Sequence, residues 1–223
     1  MTPRRPARSP AQVAGAEHAR TYHHGDLRAA LLAEASLLLE QEGVDAVTFR
    51  GLARRLGVSH AAPGYHFADR EDLLLELGTH GHVLLTEAME SRLDEGVDEP
   101  LVAIGKGYLD FAMSHPQHFR LMFAGVAGMN AGAHPAFAQA GNRSGAMLVT
   151  TATGSADPAH DPARWLKAWA LVHGLATLWN DGGLSEGFAV SGGQAAFRSI
   201  ADGILLDAFP AQRRRRDARG RAD

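Results

Sequence analysis

An all-α fold of about nine helices is predicted for this chain by three observations: apolar residues recur at intervals of three and four, prolines and glycines sit where helices start and stop, and no segment keeps the period-two alternation of a strand. Residues 1 to 20 are rich in Pro, Arg and Ala with little bulky apolar content, and are expected to form a flexible basic arm. From Asp26 the pattern changes. Leu27, Ala30, Leu31, Ala35, Leu38 and Leu39 share one helical face, up to "QEGVDA", where Gly43 is expected to take a left-handed cap. "TFRGLARRLG" follows, with Thr48 as N-cap, Phe49, Leu52, Ala53 and Leu56 on one face and Gly57 as the stop. A third short helix is expected from Ser59 to about Phe67, and Asp69 caps a long fourth helix ending near Glu95-Gly96.

The remainder reads as helical throughout. Pro100 and Pro116 open "PLVAIGKGYLDFAMSH" and "PQHFRLMFA"; "HPAFAQAGNRSGAMLVTTA" is a further helix, and "GSADPAHDP" a loop. Asp161 and Pro162 start "ARWLKAWALVHGLATLWNDGG", and the last helix, "GGQAAFRSIADGILLDAFP", stops at Pro210. The expected organisation is an arm over 1–20, a unit of short helices over 21–68, a helical domain over 69–210 and an Arg-rich tail over 211–223.

With 223 residues and 45% apolar content the chain can bury a sizeable core. It has no run of 18 apolar residues and no apolar stretch after "MTPRRPARSP", so neither a membrane span nor a secretory signal is expected, and the location expected is the cytoplasm. Zero cysteines exclude disulfides, thiolate metal sites and Cys nucleophiles. The net charge of −3 hides an asymmetry: residues 1–70 hold nine basic against seven acidic side chains, residues 71–212 seven against sixteen, and residues 213–223 six against two. Between Thr48 and Phe67 there are three arginines, Arg50, Arg54 and Arg55, and no acid, so this segment can approach a polyanion from which the acidic body is repelled.

"TFRGLARRLGVSHAAPGYHF" has the layout of a helix-turn-helix, two short helices about a Gly-containing turn, the second of which enters the major groove. Ser59 would leave orphan N–H groups facing a phosphate, Ala61 and Ala62 allow close approach to base edges, and His60, Tyr65 and His66 supply hydrogen-bonding tips. Pro63 suits a short helix, because a proline in the first turn removes an N–H with little or no intrahelical partnership.

The stretch "YHHGDLRAALLAEASLLLEQEGVDAVTFRGLARRLGVSHAAPGYHFADREDLL" resembles the N-terminal domain of TetR/AcrR-type transcriptional regulators. The resemblance implies an all-helical homodimer with an N-terminal DNA reader and a C-terminal domain that dimerises and binds a small-molecule inducer. It places Thr48 and Arg50 against the DNA backbone and Ser59, His60, Ala61 and Ala62 on the recognition helix, with double-stranded operator DNA as partner. One departure stands out. The family usually carries an aromatic, mostly Tyr, where this chain has Gly64, and Tyr65 occupies the next position; either Tyr65 takes over the phosphate contact or the segment binds more weakly. "HPQHFRLMF" and "AWALVHGLATL" resemble the C-terminal domain of the subgroup with a Trp-His-Gly signature, here "LVHG". By that resemblance the last two helices form the dimer interface, which their apolar stripes would suit through four-helix packing. Phe111, Phe119, Met122, Phe123, Met147, Trp169, His173 and Trp179 are the candidate lining of an apolar inducer pocket, with His173 as polar anchor.

Rival chemistry is weak. "GLSEG", residues 183–187, spells a hydrolase nucleophile elbow, but that motif needs a preceding strand and follows a helix here, so Ser185 reads as part of a Gly-rich turn. Histidines in "YHHG" and "HGH" are too close in sequence to converge on one ion, and no metal site or other cofactor is expected. A helical enzyme using either feature is the alternative to the regulator. "NRS" at Asn142 carries no meaning without secretion, and Arg213–Arg216 read as a solvated tail.

Overall fold

The computed structural model describes residues 24–96, 99–125, 134–183 and 192–210. Among them are eight α-helices and no strand: α1 (His24–Glu42), α2 (Phe49–Leu56), α3 (Arg70–Glu95), α4 (Pro100–Ser114), α5 (Pro116–Arg120), α6 (Pro135–Thr153), α7 (Pro162–Asn180) and α8 (Gly193–Ala208). The all-α class is therefore as the periodicity predicts. None of these helices is long and apolar enough to cross a membrane. The expected basic arm and Arg-rich tail lie outside the described residues, as does Ser185.

The ends of the helices follow side-chain chemistry. Thr48 has extended backbone and its hydroxyl accepts the Gly51 N–H at 3.1 Å, starting α2; Gly57, at φ 68°, ends it, with the Val58 N–H reaching back to the Ala53 carbonyl. Loss of this cap in Thr48→Ala is expected to cost about 1 kcal/mol, read as a lower urea midpoint at unchanged slope. Asp69 accepts from Asp72 N–H and Asp72 accepts from Ala68 N–H, both at 2.9 Å, a reciprocal cap for α3. Prolines open α4, α5, α6 and α7, where a missing N–H costs nothing. Gly43 differs from expectation: its φ is positive at 84° but its ψ of 176° is extended, and it leads into a 3-10 turn over Val44–Ala46.

The principal correction concerns the third helix. Residues 59 to 66 form successive turns bonded three residues back: Ala62 to Ser59, Gly64 to Ala61, Tyr65 to Ala62 and His66 to Pro63, with a 3-10 helix over Pro63–Tyr65. An α-helix capped at Ser59 would take its first bond from the N–H of residue 63 to the Ser59 carbonyl. Proline has no such N–H, so Ala62 bonds that carbonyl instead and the tighter winding persists; Gly64 adds its own penalty to a regular helix.

Two apolar cores result. Leu31, Ala35, Leu38 and Leu39 of α1 meet Val47, Leu52, Phe67 and the first half of α3, Leu73 to Leu77. Leu85 and Met89 from the second half of α3 join α4, α6, α7 and α8 in the other core. One helix thus belongs to both. The α3–α4 crossing is very close at Gly107, where an added Cβ would lie 2.5 Å from the Ala88 carbonyl oxygen and 2.7 Å from Met89 Cα. Arg70 fastens the start of α3 to the loop before α2 by donating to the carbonyls of Val47 at 2.8 Å and Val44 at 2.6 Å.

Candidate nucleic-acid interface and ligand cavity

The capped start of α2 and the turn after it present a polar, cationic surface. Thr48, Arg50, Arg54, Ser59, His60, Ala61, Gly64 and Tyr65 are exposed, while Ala62 and His66 are half-buried. Arg55 is committed elsewhere, to Glu34 and to Glu42 of α1, whereas Arg50 and Arg54 form no ion pair among the described residues. Pro63 and Phe67 are buried and hold the turn against the first core, with Phe67 6.4 Å from the Phe49 ring. Tyr65 is 84% exposed, and a Cβ on Gly64 would meet nothing within 4 Å. The short 3-10 turn keeps the exposed tips of Ser59, His60, Ala61 and Tyr65 on one segment without an α-helical ladder beneath them.

In the second core, a cavity of about 300 Å³ lies between α3, α4, α6 and α7. Leu85, Met89, Ile104, Leu148, Trp165 and Trp169 give it apolar walls, and Phe123, His82, Ser144 and Tyr108 also reach it. Of the residues expected in a pocket, Phe123 and Trp169 line this one. Phe111, Phe119 and Met122 are buried core side chains outside its walls, Met147 packs against the core from one side, and Trp179 stacks on Phe197 at 4.7 Å between centroids. His173 stands behind the wall: its Nδ1 is 2.8 Å from the hydroxyl of Tyr108, and its ring lies 4.9 Å from Phe123 and 5.6 Å from Trp169.

The polar groups at the cavity are uncharged. Ser144 Oγ donates to the Gly141 carbonyl at 3.0 Å and so accepts from His82 Nδ1–H at 3.2 Å, which leaves a lone pair on His82 Nε2. Burial pushes His82 down to about 4, lowers His173 and raises Tyr108 above the ordinary phenol range, so all three are neutral at pH 7. The polar lining is only partly visible in the sequence. His82 belongs to "HGH", a spacing that speaks only against a metal; Ser144 lies in "GNRSG" between Gly141 and Gly145, whose spacing of four opens one side of α6; Tyr108 carries no signal beyond its helical register.

A pH effect follows from His82. Its folded value lies below its unfolded one, so the unfolded chain binds more protons between about pH 6.5 and pH 4, and the stability held above that window is lost as pH falls through it. The loss is expected to approach about 3 kcal/mol. Urea melts of the wild type and His82→Gln at pH 7 and pH 5 check it, the wild type losing more between the two.

Among the described residues, one convergent set of potential metal ligands exists: Glu40, His115 and His118, whose ligand atoms lie within 4.8 Å of one another. "YHHG" and "HGH" contribute nothing to it. As for the hydrolase motif, α7 and a turn stand where it would need a strand.

An exposed cationic helix-turn segment on a helical body that carries an apolar cavity is the architecture of a helical DNA-binding regulator. Family comparison gives that class its name. Residues 31–77 match the model of bacterial regulatory proteins of the tetR family, and residues 101–204 match the tetracyclin repressor-like C-terminal domain. The chain belongs to the TetR family and is a DNA-binding transcriptional regulator. A Rhodococcus sp. RHA1 protein of unknown function is 35% identical, with 85% of this chain and 98% of that one covered and a TM-score of 0.66. The Streptomyces coelicolor protein SCO4942, assigned as a transcriptional regulator, shares the fold at 19% identity and a TM-score of 0.58, covering 83% of this chain and 99% of its own. The TetR family transcriptional regulator PfmR from Thermus thermophilus does so at 19% identity and 0.50, covering 78% and 94%. No curated protein matches the chain.

Proposed function

We propose that the protein is a ligand-responsive repressor that binds a palindromic operator as a homodimer, one exposed turn per half-site, with half-sites about 34 to 36 Å apart. The observation that carries this is the pairing of an exposed Arg50–Arg54 face on α2, without an ion pair among the described residues, with a charge-free cavity in the second core, the two cores being joined by the long helix α3. Thr48 and Arg50 contact the phosphate backbone; Ser59, His60, Ala61, Ala62 and His66 face the groove. The inducer is an uncharged, mainly apolar molecule with one hydrogen-bond donor, which His82 Nε2 accepts, because a buried charge in this cavity would have no partner. Its binding favours a dimer whose turns no longer match the half-site spacing, and reversing a 1:99 distribution takes a differential affinity of about 5.5 kcal/mol.

The dimer forms through α7 and α8. Leu166 and Leu178 of α7 and Ile200, Ile204 and Leu206 of α8 are exposed large apolar residues, and Gly174 and Gly203 have open space where a Cβ would stand, allowing close helix approach. The cavity binds rather than reacts. Ser144 and His82 look like a nucleophile and base, but the hydroxyl proton is committed to Gly141, and an imidazole held near 4 is a poor base with no carboxylate to orient it.

The test is a mobility shift on promoter fragments flanking the protein's own gene across a salt series, repeated with uncharged apolar compounds. A discrete complex that weakens by about 0.9 log units per log unit of salt for each neutralised phosphate supports the reading; absence of any salt-sensitive complex refutes it. In the same assay Tyr65 is assigned the backbone contact usually made from the position of Gly64. Tyr65→Ala is expected to weaken binding about tenfold, while Gly64→Tyr, which meets no obstruction, leaves it within a few-fold. Tighter binding by Gly64→Tyr with no effect of Tyr65→Ala would remove Tyr65 from that role.

A further inference from the structure

The joint between the two cores contains a constellation that the regulator reading does not use. Glu40 projects from α1, His115 stands at the corner between α4 and α5, and His118 lies on α5. The three converge within 4.8 Å although 75 residues or more separate Glu40 from the histidines in sequence. His118 is fully buried, and its Nδ1 lies 2.6 Å from Glu40 Oε1. The ring of His115 stands edge-on to that of His118, 6.0 Å between centroids at 89°, and His80 of α3 borders the group with its ring 5.8 Å from His118.

We propose that Glu40, His115 and His118 form a site for a divalent transition metal of the zinc class, with the fourth position taken by water. Two imidazoles and one carboxylate suit this class and not calcium or magnesium, which prefer all-oxygen sets. Tetrahedral zinc with bonds of about 2.1 Å holds its ligand atoms roughly 3.4 Å apart, so the widest separation in the group must close by up to about 1.4 Å while the 2.6 Å Glu40–His118 contact opens by about 0.8 Å, both within the reach of side-chain torsions.

The surroundings orient the ligands as metal sites require. Without a metal, His118 Nδ1–H donates to Glu40 Oε1 at 2.6 Å; a bound ion would displace that proton, and Nε2–H, 3.2 Å from Ser36 Oγ, would then donate to that hydroxyl and fix the tautomer that turns the Nδ1 lone pair to the metal. Glu40 is held by backbone donors, Gln117 N–H to Oε2 at 3.2 Å and His118 N–H to Oε1 at 3.0 Å, leaving further lone pairs on both oxygens. A buried ion pair accounts for Glu40 and His118 alone; it gives no role to His115, which a metal does. Half-buried Glu40 and His115 leave an approach from solvent. Occupancy would strap α1 of the DNA-reading core to the α4–α5 corner of the other.

Untagged, chelator-treated full-length protein titrated with cobalt(II) tests this. One equivalent per chain is expected to produce the intense visible bands of a tetrahedral ion, bleached by zinc, and zinc should raise the melting temperature. His115→Ala is expected to weaken cobalt binding at least tenfold while the metal-free melt changes little; Glu40→Gln should weaken it as much but also lower the metal-free melt, because one α5 N–H and His118 lose their acceptor. A wild-type chain whose spectrum and melt ignore both metals overturns the site without any variant. So do tetrahedral bands that persist in both variants, since the ion would then sit elsewhere.

Discussion

Combining Arg50→Ala with His60→Ala is expected to weaken operator binding about 100-fold at moderate salt while leaving the fold intact. One lost phosphate contact and one lost base-edge contact, at about 1 to 3 kcal/mol for a good base pairing, give that size. Both side chains are exposed, and Arg50 has no ion pair among the described residues, so no folded-state contact is removed with them. The salt series separates their contributions. Arg50→Ala alone should lower the slope of log affinity against log salt by about 0.9, whereas His60→Ala should leave the slope and lose discrimination between operator and unrelated DNA. Unchanged binding in the double variant would place the reading surface somewhere other than this turn.

The second large effect is on stability. Gly107→Ala is expected to cost about 3 kcal/mol or more, because the new methyl meets backbone atoms of Ala88 and Met89 rather than the end of a flexible side chain. For a chain of this size that corresponds to a melting point lower by roughly 6 to 12 °C. Gly145→Ala supplies the contrast: its Cβ has open space, it lies within α6, and removing a helical glycine should raise stability by up to about 1 kcal/mol. Equal behaviour of the two alanine variants would show that α3 and α4 separate easily at their crossing.

Helix ends were legible from the sequence because each rests on a local reaction of one side chain with nearby backbone. Thr48, Asp69 and Asp161 cap the helices they precede, and Pro100, Pro116 and Pro162 stand at first turns. The segment after Ser59 broke this pattern because two local signals compete there. A cap and two alanines favour an α-helix, but Pro63 lacks the N–H that would close its first bond, and the missing bond decides the winding. Spatial neighbourhoods were illegible for a different reason. Aromatic residues at helical register mark a core without saying which face borders empty space, so Phe123 and Trp169 reach the cavity while Trp179 stacks in the core. Glu40 and His118 lie 78 positions apart, and only the packing of α1 on α5 unites them.

That α3 contributes Leu73 to Leu77 to one core and Leu85 and Met89 to the other bears on how such regulators can be recombined. A fragment cut before Arg70 would lack the leucines that close its own interior, along with the arginine that ties the loop to the helix. Exchange of reading heads between relatives therefore belongs within α3, between Leu77 and Leu85, where a seam leaves each parent's leucine contacts with the partners they were shaped for.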